Sequence, residues 1–220
     1  MNHVKNGKIE NPLKLIADDH CWQLVLCDGL ETIADTLPND VDYRLISLAS
    51  EVLKKAISQH NRLEEEALFP ILLGRLNEDS HLRSAFKQLH QEHETDGEHA
   101  LEIADELDRI VINRRVENPE MLGYMLRGFF DALRRHINWE NQTVLPLAAD
   151  LLTTKDLVII SRWIDEHPET IRCGRLLRLV GKHLGHTTCP HRTQKVQLLV
   201  FPERSRLEGE GHSKRNNEKP

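Results

Sequence analysis

Two stretches of the chain repeat one another at long range, and this repeat limits the fold more than any other feature of the sequence. His60-x3-Glu64-x3-Leu68-Phe69-Pro70 matches His136-x3-Glu140-x3-Val144-Leu145-Pro146 at a constant offset of 76 residues. His and Glu four positions apart stand one turn apart on a single helical face. His60 follows Ala56 and His136 follows Leu133 along an apolar stripe, so both pairs are expected to point inward. One HxxxE alone says little; His90–Glu94 is a third instance, and the ordinary role of such a pair is an exposed salt bridge. The two core pairs share more, because each is followed by apolar residues and then a proline at the same spacing.

The surrounding sequence reads as helices joined by short turns, since apolar residues return every three or four positions and long β-branched alternating runs are missing. Helix A is expected over about 13–36, with Leu13, Ile16, Leu24, Cys27 and Ala34 on one face, ending at Leu37-Pro38-Asn39-Asp40. Helix B follows from about 41 with Leu45, Leu48, Val52, Ala56, Leu63 and Ala67. Helix C covers about 80–113 with Ser80 as N-cap and Phe86, Leu89, Ala100, Ala104, Leu107 and Val111 on its stripe. Helix D starts at Asn118-Pro119, a capping side chain followed by proline at the first helical position, and carries Leu122, Met125, Phe129 and Leu133. Four long amphipathic helices with short connections favour an all-α, up-down-up-down four-helix bundle. A short fifth helix over about 154–166 is expected to pack across one end.

The chain of 220 residues has net charge −6, which averages two unlike parts. Residues 167–220 carry 11 Lys and Arg against 5 Asp and Glu, leaving 18 against 30 in residues 1–166. The division predicted is an N-terminal extension, 1–12, a metal-binding bundle, 13–166, and a basic C-terminal tail, 167–220, partly helical and then disordered. An acidic body lacks the basic stripe that nucleic acid requires. No apolar run reaches the roughly 18 residues of a membrane span, and the start has no apolar segment for secretion, so a cytoplasmic protein is expected. Cys21, Cys27, Cys173 and Cys189 form no CxxC pair and are read as reduced thiols. Within the tail, residues 171–184 form a basic amphipathic segment suited to docking on the body, on a protein partner or on a membrane surface. Cys173, His183, His186, Cys189 and His191 have no spacing that matches a zinc site.

Histidine is unusually frequent, with 13 residues. His20 lies between Ile16 and Leu24 on helix A, and His93 between Leu89 and Ala100 on helix C, each where the stripe calls for a core residue. Four buried imidazoles and two buried carboxylates without partners would cost several kcal/mol each. Cations among them would offset the carboxylate charge and occupy the imidazole lone pairs, which suits two divalent or trivalent ions. Cys21, Cys27, Trp22 and Trp139 neighbour these positions and are read as packing residues.

These motifs, DDHCW around His20, HNRLEEEALFP from His60, QEHETDGEH around His93 and HINWENQTVLP from His136, resemble the hemerythrin-like HHE cation-binding family. The resemblance spans about 13–165 and implies a four-helix bundle holding a non-haem pair of iron ions, oxo- or hydroxo-bridged. It implies that His20 and His60 bind one iron, that His93 and His136 bind the other, and that Glu64 and Glu140 bridge them. Oxygen-carrying members have two helix-C histidines four apart, whereas Leu89 and Gly97 occupy those positions here. His90 is the one further candidate on that helix, and its polar neighbours Gln91 and Glu92 place it at the surface. The paired cysteines of related iron–sulfur repair proteins are missing, and so are the Glu-x-x-His pairs of ferritin-like sites on helices B and D.

The implied function is a protein that binds or senses oxygen, nitric oxide or iron. An enzyme of the di-iron type remains an alternative, acting in iron–sulfur cluster repair or in peroxide or nitric oxide reduction. Consumption of a reductant with turnover separates the two. All six implied ligands precede residue 141, so removal of 168–220 is expected to leave the centre intact.

Overall fold

A computed structural model describes residues 11–191 except Asp79, together with the backbone of two short N-terminal strands. These are β1 (Val4–Lys5) and β2 (Lys8–Ile9), paired antiparallel. The disordered terminus expected at 203–220 lies outside the described residues.

Among the described residues, everything else regular is helical. Helix α1 (Pro12–Thr36) starts where Asn11 accepts the Leu13 N–H at 3.0 Å and Pro12 follows. Helix α2 (Tyr43–Leu63) starts at Asp42, whose carboxylate accepts from the N–H groups of Arg44 and Leu45. It continues through a π-helical turn at Glu64–Leu68 into α3 (Phe69–Arg75). The guanidinium of Arg83 then collects the carbonyls of Leu73, Leu76 and Asn77 where α3 ends. Helix α4 (Leu82–Asn113) begins just after Ser80, whose hydroxyl accepts the Leu82 N–H at 3.3 Å. It closes on Arg114 in the left-handed conformation. Helix α5 (Pro119–Trp139) has the expected Asn118 cap, accepting from Met121 N–H. A second π-helical turn, Glu140–Val144, leads into α6 (Leu145–Leu151). Helix α7 (Thr154–Glu166) opens with a reciprocal capping box between Thr153 and Asp156. Helix α8 (Glu169–His183) completes the chain of helices and is followed by Gly185 at φ +86°.

The four long helices pack around a common core, α1 on α2 and α5, and α4 on α2 and α5. Cross-links between neighbours run in opposite chain directions. On the α1–α5 side, His20 meets Asn141, Arg134 meets Asp28 and Glu31, and Arg127 meets Asp35. On the α2–α4 side, Ser50 and Lys54 meet Asp108 while Asn61 meets the His93 carbonyl.

Two apolar clusters fill the interior. The larger includes Val25, Leu26, Leu30, Leu45, Val52, Leu53, Ile103, Leu107, Leu126 and Phe129. The smaller includes Leu13, Ile16, Leu63, Leu68, Phe69, Leu72, Phe86, Leu145, Ile160 and Ile164, so α7 covers that end of the bundle as the sequence predicted. Leu24, Leu48, Val111 and Met125 reach only the edge of the core and are half-buried.

Two departures from the sequence reading concern α1. It is buried on nearly all sides, including Asp18 and Asp19, because α8 packs against it as well as against α2. That docking demands close approach: a Cβ on Gly181 would collide with the Trp22 ring, and one on Gly174 would meet Asp19 Oδ1 at 2.8 Å. The four cysteines are not all thiols, since Cys21 and Cys189 form a disulfide with Cα atoms 6.2 Å apart. The turn after α8 carries residue 189 back to α1 across a sequence separation of 168, which no spacing rule reveals. Cys27 and Cys173 remain thiols, and burial pushes the Cys27 thiol up to about 12.

Candidate metal centre

Between the two apolar clusters lies a layer of buried polar side chains, one or two from each long helix and its continuation. His20, His60, Glu64, His93, His136 and Glu140, the six residues singled out from sequence, all stand there, none more than 7% exposed. Each HxxxE pair ends at the start of a π-helical turn. Pro70 and Pro146 have no N–H to give to the carbonyl four residues back, and their rings crowd it. The chain widens instead, with Phe69 N–H bonding to Glu64 O and Leu145 N–H to Glu140 O, five residues back. The duplicated proline is therefore the sequence trace of a duplicated helical irregularity immediately after each carboxylate.

Glu64 reaches three histidines, with carboxylate oxygens 3.5 Å from the Nε2 atoms of His20, His60 and His93. Glu140 also reaches three: His20 Nε2 at 3.2 Å, His136 Nε2 at 3.3 Å and His93 Nε2 at 3.8 Å. His20, His60, Glu64 and Glu140 can offer ligand atoms within 4.8 Å of one another, and His93, His136 and Glu140 form a second such group.

The outer ring nitrogens define the tautomers. His20 Nδ1 donates to Asn141 Oδ1 at 2.8 Å, His93 Nδ1 to Glu65 Oε1 at 2.8 Å and His136 Nδ1 to Glu92 Oε2 at 3.1 Å. His60 Nδ1 faces Asp19 Oδ2 at 3.9 Å. A proton held on Nδ1 leaves Nε2 as a lone pair, and every Nε2 points toward the central carboxylates. His93 and His136 even bring their Nε2 atoms within 3.0 Å of each other. Meanwhile His20 Nε2, His60 Nε2 and all four oxygens of Glu64 and Glu140 are buried without a hydrogen-bond partner. Converging lone pairs and unpaired carboxylates in a dry interior are costly unless a cation occupies their focus, so the donor set fits metal ions.

Protons can balance part of this charge when metal is absent. Burial lowers the His136 pKa, but the adjacent Glu140 carboxylate, together with the charge of Glu64 and the Glu92 contact, outweighs it and raises the imidazole to about 9. His20 is likewise held well above its ordinary value, since contacts with Glu140 and Glu64 overcome burial. Glu140 is driven well below the usual carboxylate range, because His136 and His20 outweigh its burial. A raised histidine stabilises the metal-free fold fully below its unfolded pKa of 6.5, and this contribution is lost as pH rises through about 9. Metal requires the neutral ring, so apparent metal affinity should climb over the same window and level off near pH 9. Calorimetric melting with and without metal should show the gap in Tm widening across that window, and a constant gap would contradict the assignment.

Asn141, Glu65, Glu92 and Asp19 escaped the sequence reading. All four adjoin a ligand candidate, Asn141 after Glu140, Glu65 after Glu64, Glu92 before His93 and Asp19 before His20, which was the available signal. His90 does not join the cluster; it is half-exposed and pairs with Glu65 at 3.1 Å. Gly97 has only open space where a side chain would begin. The tail residues also stay apart, with His183 on Asp42, His191 on Asp28 and Cys189 in the disulfide.

Helical layers enclosing a buried His and Glu cluster define a cation-binding bundle. Residues 11–148 match the family model described as the hemerythrin HHE cation binding domain, and the chain belongs to that family. Helices α7 and α8 lie beyond the matched residues. No curated protein and no solved structure matches the chain.

Proposed function

We propose that the cluster is a two-metal centre of iron, in which His20 and His60 hold one ion, His93 and His136 hold the other, and Glu64 and Glu140 are shared between them. The observation that carries this reading is the set of buried Nε2 and carboxylate atoms without hydrogen-bond partners, focused by outer acceptors on Nδ1. The surrounding architecture is taken as the up-down-up-down bundle of the family, supported by the oppositely running cross-links of α1 with α5 and α2 with α4. Its unit is the 13–166 bundle, closed on one side by α8 from the basic tail.

Bound iron would supply redox chemistry and open coordination positions, because six protein ligands, two of them shared, cannot fill two octahedral shells. The chain holds the imidazoles in one tautomer through Asn141, Glu65 and Glu92, and keeps bulk water from the two carboxylates by burying them. Such a site suits the binding or sensing of oxygen, nitric oxide or iron. No described helix is long and apolar enough to cross a membrane. The Cys21–Cys189 bond favours an oxidising setting over the reducing cytoplasm expected from sequence.

His60→Ala and His136→Ala should each lower metal content and Tm together, since binding free energy adds to folding free energy. His81→Ala and His99→Ala, at exposed positions of the same molecule, should change neither. Elemental analysis with thermal melting makes the comparison, and equal damage from His99→Ala would overturn the ligand assignment.

A further inference from the structure

Two cavities between helices differ in charge. One lies between α2 and α8, where Glu51 and Glu169 are matched by Lys55 and Arg172, and none of the six ligand candidates lines it. The other, about 440 Å³ and half open, lies between α4 and α5, and His136 forms part of its wall beside Gln88, Glu92, Asp96, Arg135 and Trp139. Of the two, it is the one that reaches a ligand candidate.

Asp96 is the unexpected member. It is only 8% exposed, it lines this cavity, and no described group makes a hydrogen bond or ion pair with it. Glu92, one turn earlier on α4, also lines the cavity and turns one oxygen to His136 Nδ1 at 3.1 Å. A carboxylate largely withdrawn from water without a partner is destabilising, and what exposure Asp96 keeps opens onto this cavity. Arg135, the one Lys or Arg among the lining residues, is exposed.

Resting on the metal-centre reading, we propose that Asp96 and Glu92 form a transient site for a hydrated divalent cation, through which metal enters the centre along the α4–α5 cavity. Two carboxylates suit a hard, partly hydrated cation and lack the imidazoles that would retain it. The ion is drawn into a low-dielectric recess by their charge, then passes to the stronger His and Glu donors beyond His136. Asp96 acts on the rate of loading and leaves the final occupancy alone, which distinguishes it from a ligand.

The test is stopped-flow uptake of cobalt(II) chloride by the metal-stripped full chain at low salt, read by visible absorption, with cobalt per chain measured afterwards. Asp96→Asn is expected to slow uptake about ten-fold with unchanged final cobalt. Asp105→Asn, which removes the same charge from an exposed site on the same helix, should match the wild type. Arg135→Gln should accelerate uptake. Equal rates for Asp96→Asn and Asp105→Asn, or no acceleration with Arg135→Gln, would overturn the proposal, and so would a fall in final cobalt with Asp96→Asn, which would make Asp96 a ligand or a structural support. A wild type that takes up no cobalt would remove the metal-centre reading itself and this proposal with it.

Discussion

Glu64→Gln is expected to prevent metal loading while leaving the metal-free chain folded and about as stable as the wild type. The side chain is fully buried, and neither oxygen has a hydrogen-bond partner. Its position 3.5 Å from three imidazoles gives it the widest reach toward the histidines, together with Glu140. The amide preserves shape and removes the negative charge that metal needs, so affinity should fall by at least about 100-fold. Without metal the consequence is small, because a desolvated carboxylate with no bond stabilises little and its neutral isostere avoids the desolvation cost. Glu140, the larger influence on His20, remains in place. Melting with and without metal checks both halves: the metal-induced rise in Tm should vanish, and the metal-free Tm should stay within a few degrees. A collapse of the metal-free protein would show that Glu64 serves mainly as a partner of protonated histidine.

Truncation after residue 167 should be the most destabilising change outside the centre. It removes Leu177 and Val180, both buried, each contributing about 1.5–3 kcal/mol. It also uncovers Trp22 and Asp19, packed against Gly181 and Gly174. The Gln59–Thr170 hydrogen bond and the Cys21–Cys189 link go with it, the latter adding about 2–4 kcal/mol. Because Asp19 faces His60 Nδ1, metal content should fall along with Tm. This reverses the expectation drawn from sequence, in which every ligand preceded residue 141 and the tail stood apart. Gly181→Val provides a milder test in the full chain, with an expected loss of about 1–3 kcal/mol from overpacking against Trp22. Metal content and Tm equal to the wild type in residues 1–167 would show that α8 is dispensable to the centre.

What the sequence made legible depended on periodicity. The stripes around Leu45, Ala56, Leu107 and Leu133 marked the helices, and the 76-residue repeat marked the cluster, because a helix places residues four apart on one face whatever the rest of the chain does. Features set by packing between distant segments were hidden. Asp18 and Asp19 look like a polar face of α1 until Arg178 and Gly174 of α8 approach them, and α8 itself reads as a basic amphipathic segment with several surfaces on which it could dock. The disulfide depends on a turn that returns residue 189 to α1. The π-helical turns had a visible cause in Pro70 and Pro146, but the change of pitch they impose is a three-dimensional outcome. Asn141, Glu65 and Glu92 sat next to ligand candidates, yet their acceptor role follows from which neighbouring helix they face.

Metal content per chain after anaerobic loading with ferrous iron, followed by the near-ultraviolet spectrum in air, decides whether the cluster is a two-iron centre. About two irons per chain and an absorption band characteristic of a bridged ferric pair are expected, both lost in Glu64→Gln. A reproducible content near zero, or a single tightly bound zinc without that band, would contradict a two-iron centre.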